Sequence, residues 1–169
     1  SAQGGHYRAG AMQAAVPEEV LDVLGRRLGV TMECFASPFN CYWSRFGSAF
    51  PDTDAPFGSI GRFEEQNLLQ GSYEVNPPFE EAVIRAMATQ CIKYIEAAER
   101  TRSALSFVII IPKDQTSEGW QTLRHCRFLK AHWIAKKQQH GYIEGNQHMR
   151  GCSFKVASFD TSLLVVQTS

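Results

Sequence analysis

The sequence predicts an α/β fold, a mostly parallel and doubly wound sheet with an antiparallel C-terminal strand pair. Three observations carry this expectation. The run Phe107-Val108-Ile109-Ile110-Ile111 shows no polar alternation, which suits a central parallel strand covered on both faces. Apolar residues recur at helical spacing in two stretches that alternate with strand-like segments, residues 17–28 and about 79–100. Two short apolar-rich segments then close the chain, residues 153–157 and 162–167, and read as an edge pair.

In chain order, the first helix carries Val20, Leu21, Leu24 and Leu28 on one face and ends at Gly29. A strand is expected at residues 31–35, followed by the turn Ala36-Ser37-Pro38-Phe39-Asn40 and a short aromatic segment, residues 41–46. Residues 48–61 hold Pro51, Asp52, Asp54, Pro56, Gly58 and Gly61 and read as a long irregular loop. Next come a strand at 72–75, the turn Asn76-Pro77-Pro78 and the long helix, with Val83, Ala86, Met87, Ile92 and Ile95 on its apolar side. A strand at 105–111 stops at Pro112, and a helix at 119–129, a strand at 131–137 and a loop at 141–151 precede the closing pair.

With 169 residues and 44% hydrophobic composition, the chain is expected to form one domain over residues 1–169. No apolar run is long enough to span a bilayer, and residues 1–10 lack the order of a signal peptide, so a soluble, non-secreted protein is expected. A first residue of Ser points to a processed or trimmed chain. The five scattered cysteines include no Cys-x-x-Cys pair and read as reduced and mostly packed. His125, Cys126, His132, His140, His148 and Cys152 match no standard zinc spacing, and no metal is expected. Residues 1–112 hold 9 Lys/Arg against 13 Asp/Glu, a balance of −4, and residues 113–169 hold 8 against 4, or +4. This asymmetry is either ordinary solvated surface or a basic side that meets phosphates.

Chemistry enters at the two unusual turns, which fall where open α/β sheets bind ligands, outside the carboxyl ends of strands. The exocyclic amine of adenine is a poor nucleophile because its lone pair is delocalised into the ring. The side-chain oxygen of Asn76 and the carbonyl of Pro77 can accept its two hydrogens and localise that lone pair toward a methyl donor. Pro78 stiffens the turn and Phe79 offers a face to the purine. The same residues also make a good helix start with no chemistry at all: Asn at the N-cap, Pro at the first position and Glu80-Glu81 in the first turn. Ala36 and Ser37 are small enough for backbone to approach a cofactor, whose carboxylate a following helix N-terminus would face. Asn40 reads equally as a helix cap, and the neighbouring Tyr42, Trp43 and Phe46 as core. Glu33, Asp52 and Asp54 are candidates for a cofactor ribose.

Together Phe35-Ala36-Ser37-Pro38-Phe39-Asn40-Cys41-Tyr42, Ser48-Ala49-Phe50-Pro51-Asp52-Thr53-Asp54, Phe57-Gly58-Ser59 and Asn76-Pro77-Pro78-Phe79 resemble the cap-specific mRNA adenosine-N6 methyltransferases, the phosphorylated-CTD-interacting-factor family. The likeness continues through Gln13-Ala14-Ala15-Val16-Pro17 and Gly145-Asn146-Gln147-His148. It implies a Rossmann-like methyltransferase that uses S-adenosylmethionine and no metal on the adenosine next to the mRNA cap, in the nucleus. It implies a catalytic role for Asn76, Pro77, Pro78 and Phe79, and a cofactor role for the turn that includes Phe35, Ala36, Ser37, Pro38 and Asn40. Animal relatives carry a large helical region and a WW module. Neither is read in this chain, so protein partners are expected to supply the helical part. Arg124, Arg127, Lys130, Lys136, Lys137, Arg150 and Lys155 are expected to face RNA phosphates, with Tyr142 either stacking on an extruded base or simply packing, and Gln147 and His148 in the same loop. Two other functions stay open: a DNA adenine-N6 methyltransferase, since extrusion would serve either polymer, and a non-catalytic subunit of a larger assembly.

Overall fold

The computed structural model describes residues 14–144 and 153–169. The described chain opens on a two-residue strand, β1 (Ala14–Ala15), and helix α1 (Glu18–Leu28). Glu18 and Glu19 lie in the first turn of α1 and Arg26 and Arg27 in its last, each complementing the helix dipole, and Gly29 ends it at φ 66°. Of its expected apolar face, Leu21 and Leu24 are buried, while Val20 and Leu28 stay exposed. The expected irregular loop contains a four-residue helix α2 (Pro51–Asp54) and a 3-10 turn at Ala55–Phe57. Then follow β2 (Gly71–Val75), α3 (Glu81–Arg100), β3 (Leu105–Pro112), α4 (Glu118–His125), β4 (Leu129–Ala135), β5 (Gly141–Glu144), β6 (Ser153–Val156) and β7 (Thr161–Gln167).

The sheets correct the expected architecture. The larger one runs β2-β3-β7-β4, and of its three pairings only β2 with β3 is parallel. β7 lies antiparallel between β3 and β4. A second, smaller sheet, β1-β5-β6, is wholly antiparallel. The fold is therefore α/β with one mixed and one antiparallel sheet, and the mostly parallel, Rossmann-like sheet expected from the sequence is not what forms. The closing strands do not pair with each other either: β6 joins the small sheet, and β7 enters the middle of the large one. β5 occupies part of what read as a loop. The expected strand at 31–35 reduces to single bridges, Glu33 to Glu74 on one side and to Phe46 on the other.

The unbroken apolar run in β3 does report burial on both faces, but burial does not fix strand direction. Phe107, Ile109 and Ile111 pack into one core with Met87, Cys91 and Ile95 of α3 and Trp120 and Leu123 of α4. Val108 and Ile110 enter a second core with Leu21 and Leu24 of α1, Phe79, and Tyr142 of the small sheet. Helices α3 and α4 approach so closely that a Cβ on Gly119 would fall 2.8 Å from the backbone nitrogen of Arg85. Among the described residues no helix is long and apolar enough to cross a membrane.

Candidate active site

Both unusual turns leave segments that run side by side. Glu33 bridges Glu74 in parallel; the Ser37 turn follows the first and the Asn76 turn follows the second. In the second turn, α3 does not begin where the sequence allowed. Its N-cap is Glu80, in extended conformation with no side-chain cap bond, so Asn76 is not a helix cap and Pro77 is not a first helical residue. The Asn76 side-chain nitrogen instead donates to the Ala14 carbonyl of β1 at 2.9 Å. Its side-chain oxygen is buried and meets no donor among the described residues. Such an acceptor costs about 1–3 kcal/mol unless something supplies a hydrogen.

Phe79 is buried, its ring edge-on to Tyr142 at 5.5 Å and to Phe159 at 5.8 Å. It anchors the turn where the sequence expected it to receive a purine. Tyr142, expected to stack on a base, is likewise buried, its ring stacked on Phe159 at 6.0 Å and its hydroxyl 2.8 Å from that of Thr161. Burial pushes its phenol well above the usual range.

The first turn closes on itself. The Asn40 side-chain oxygen accepts from the Ser37 N–H at 2.8 Å and from its hydroxyl at 3.1 Å, and the Asn40 and Cys41 N–H groups donate to the Ser37 carbonyl. No helix follows directly; the next is α2, four residues long, which starts eleven positions after Asn40. The expected helix N-terminus facing a cofactor carboxylate is thus absent from this turn, and Asn40 caps the turn, not a helix. Phe35 packs its ring 5.2 Å from Phe63. Ala36 donates its N–H to Gly47, and Pro38 is half-buried at the bend.

Under the turns lie two buried acids. Glu33 accepts the Tyr42 N–H at 2.7 Å, and burial raises its carboxyl to about 6 against the lowering effect of the Tyr42 and Trp43 N–H groups. Glu74 is buried more completely, and burial first, then the Glu33 charge, raises it further. Of the two, Glu74 is pushed further toward its protonated form, and Glu33 is the one able to ionise near neutrality. Glu33 was a candidate from the sequence; Glu74 was not, and an acid in a short strand offers no signal that it will point inward.

Two of the lysines expected to face RNA, Lys136 and Lys155, are paired with acids. Lys136 pairs with Asp160 at 3.5 Å, the Lys137 side chain is exposed while its N–H binds Asp160, and Lys155 pairs with Glu144. Gln147, His148 and Arg150 lie outside the described residues. Among the described residues no group of three or more His, Cys, Asp or Glu could hold a metal ion.

A family model described as the phosphorylated CTD interacting factor 1 WW domain matches residues 1–145. The chain belongs to this family. The description assigns the matched region of the family to a WW domain, where the sequence reading found no WW module. Two relatives, from Mus musculus and Homo sapiens, are named mRNA (2'-O-methyladenosine-N(6)-)-methyltransferase. Each is 37% identical over 147 residues, which is 86% of this chain and 20% of the relative. The family member described here thus spans about a fifth of the length of the methyltransferases it resembles.

Proposed function

We propose that this chain carries the adenine-recognition turn of an RNA adenine-N6 methyltransferase, acting on the adenosine next to the mRNA cap. The observation that supports this most is the Asn76 side-chain oxygen, a buried acceptor with no donor among the described residues. An exocyclic amine supplies what it lacks. With the Pro77 carbonyl as a second acceptor, both amine hydrogens are held and the lone pair is turned outward, a preorganised field for the positive charge that develops as the new N–C bond forms. Pro78 fixes the bend, and Phe79, held by Tyr142 and Phe159, keeps it from moving. The proton leaves after transfer, so no strong base is required.

The methyl donor that fits is a cation. The Asn76 oxygen is an open acceptor, Glu33 is a carboxylate able to ionise beside it in the neighbouring segment, and the Ser37 N–H and hydroxyl already serve Asn40. S-adenosylmethionine, which supplies the methyl group from a positively charged sulfonium, suits that set, and Phe35, Ala36, Ser37, Pro38 and Asn40 would hold it. Lys137, Gln147, His148 and Arg150 are read as RNA contacts, and a nuclear location follows from the named activity of the relatives. The description of the matched family favours a second reading, binding to a phosphorylated polymerase tail.

Incubation with methyl-labelled S-adenosylmethionine and four polymers separates these readings: capped RNA starting with 2′-O-methyladenosine, uncapped RNA, single-stranded DNA, and a phosphorylated tail peptide as a binding target. Label at adenine N6 of the capped RNA is expected. Transfer to DNA alone overturns the substrate, and donor or peptide binding with no transfer to any polymer overturns the catalytic reading.

A further inference from the structure

We infer that Tyr142, Thr161 and His140 are positioning residues, which hold the small sheet so that the Asn76 amide presents its oxygen and not its nitrogen. The inference rests on the reading of Asn76 given above. A carbonyl can only accept, so the Ala14 carbonyl holds the nitrogen end of the amide and leaves the oxygen as the open end. Ala14 lies in β1, a strand of two residues whose pairing is with β5, Ala14 opposite Glu144 and Ala15 opposite Ile143. What places β5 therefore decides which end of Asn76 is open.

Beyond its packing in the second core, β5 is tied to the large sheet through a hydroxyl. Thr161, the first residue of β7, sits opposite Pro112 of β3 and Ala135 of β4. Its oxygen is 2.8 Å from the Tyr142 hydroxyl and 2.6 Å from His140 Nε2. His140 Nδ1 is 2.7 Å from the Lys136 carbonyl and donates there. The Thr161 hydroxyl, which can donate once and accept as well, bridges His140 and Tyr142 in one chain of hydrogen bonds. Tyr142 in turn lays its ring against Phe79, so the same tie reaches the turn from both ends.

The molecule contains its own control. Ser162, the next residue of β7, is fully buried, with its hydroxyl 2.9 Å from Trp120 Nε1 and 3.0 Å from His132 Nε2. This trio is again a hydroxyl between a histidine and an aromatic donor, but it joins α4 to β4 and not β5 to β7.

The test compares Thr161→Val, Thr161→Ser, Tyr142→Phe and Ser162→Ala in the whole chain, each well below its melting temperature. Two readouts are used: proton exchange of the Asn76 side-chain amide by 15N NMR, and methyl transfer at saturating donor. In Thr161→Val the amide is expected to lose protection and kcat to fall on the order of ten- to a hundred-fold, with donor Kd unchanged. Tyr142→Phe should show the same pattern to a smaller degree, which covers the case in which Thr161→Val does not fold. Thr161→Ser should restore both readouts, and Ser162→Ala should lower the melting temperature while leaving both unchanged. A protected Asn76 amide in both Thr161→Val and Tyr142→Phe overturns the inference, as does equal loss of protection in Ser162→Ala. If the unaltered chain transfers no methyl group, the catalytic reading fails and the amide exchange still decides this one.

Discussion

Asn40 and Asn76 occupy matching places, each in the turn that leaves one of two neighbouring parallel segments, yet their side chains are used in opposite ways. The Asn40 oxygen is saturated by two groups of Ser37, so its turn is a closed local unit. The Asn76 nitrogen reaches a carbonyl 62 positions away in sequence, and its oxygen is left open in a buried place. The same residue type in the same topological position is structural in one case and a candidate for chemistry in the other. Unmet hydrogen-bonding capacity, and not residue identity, separates them.

The largest effect expected from this contrast is on turnover. Asn76→Ala should lower methyl transfer by on the order of a hundred-fold or more, with donor affinity within a few-fold, measured by labelled transfer and calorimetry. Its stability should change little, because the bond to Ala14 is lost together with an orphaned acceptor, and terms of about 1 kcal/mol offset each other. Wild-type turnover in this variant would remove the distinction between the two turns.

A smaller effect sharpens the comparison beneath the turns, at Glu33. Its folded pKa of about 6 lies above the ordinary 4.5, so the folded state holds the proton more tightly than the unfolded chain. The stability due to this group is fully present below about pH 4.5 and is lost as pH rises through 6. With 1.36 kcal/mol per pKa unit, the loss is roughly 2 kcal/mol. Urea unfolding at pH 4.5 and 7 should show a loss larger by roughly that amount in the unaltered chain than in Glu33→Gln, which keeps an acceptor for Tyr42, with Glu74 contributing to the slope of both. Equal pH slopes would place Glu33 in a wetter site than its burial indicates. The smallest effect belongs to Asn40→Ala, expected to destabilise by about 1 kcal/mol in urea through loss of its bonds to Ser37. If Asn40→Ala abolished transfer while Asn76→Ala did not, the roles assigned to the two turns would have to be exchanged.

Much of the local structure was legible. The bounds of α1, α3 and β3 follow from helical spacing, Gly29 and an apolar run, all of which act within a few residues. Sheet direction was not, because Phe107 to Ile111 report only that both faces are covered, and α3 with α4 on one side and α1 with the small sheet on the other achieve that beside an antiparallel neighbour. β5 was hidden because Gly-Tyr-Ile-Glu is too short to show a period. At the site, Asn76 through Phe79 announced themselves as a turn. Their supports did not: Ala14, Phe159 and Thr161 are distant in sequence, and Tyr142 read as a free ring because nothing in its neighbours shows what covers it. Glu74 was not singled out, because an acid in a short strand does not show which neighbour covers it, and here the Glu33 segment bridges that edge of β2.

The alternation along β3 has a consequence for anyone redesigning this molecule. Odd-numbered residues, Phe107, Ile109 and Ile111, belong to the compartment under α3 and α4; even-numbered ones, Val108 and Ile110, belong to the compartment that backs the Asn76 turn. A library confined to Val108, Ile110 and Val165 could reshape the wall behind the turn while the helical half, with Met87, Ile95 and Leu123, stays as it is. One strand thus serves as a partition between a scaffold and an adjustable chamber, and the two can be engineered on separate schedules.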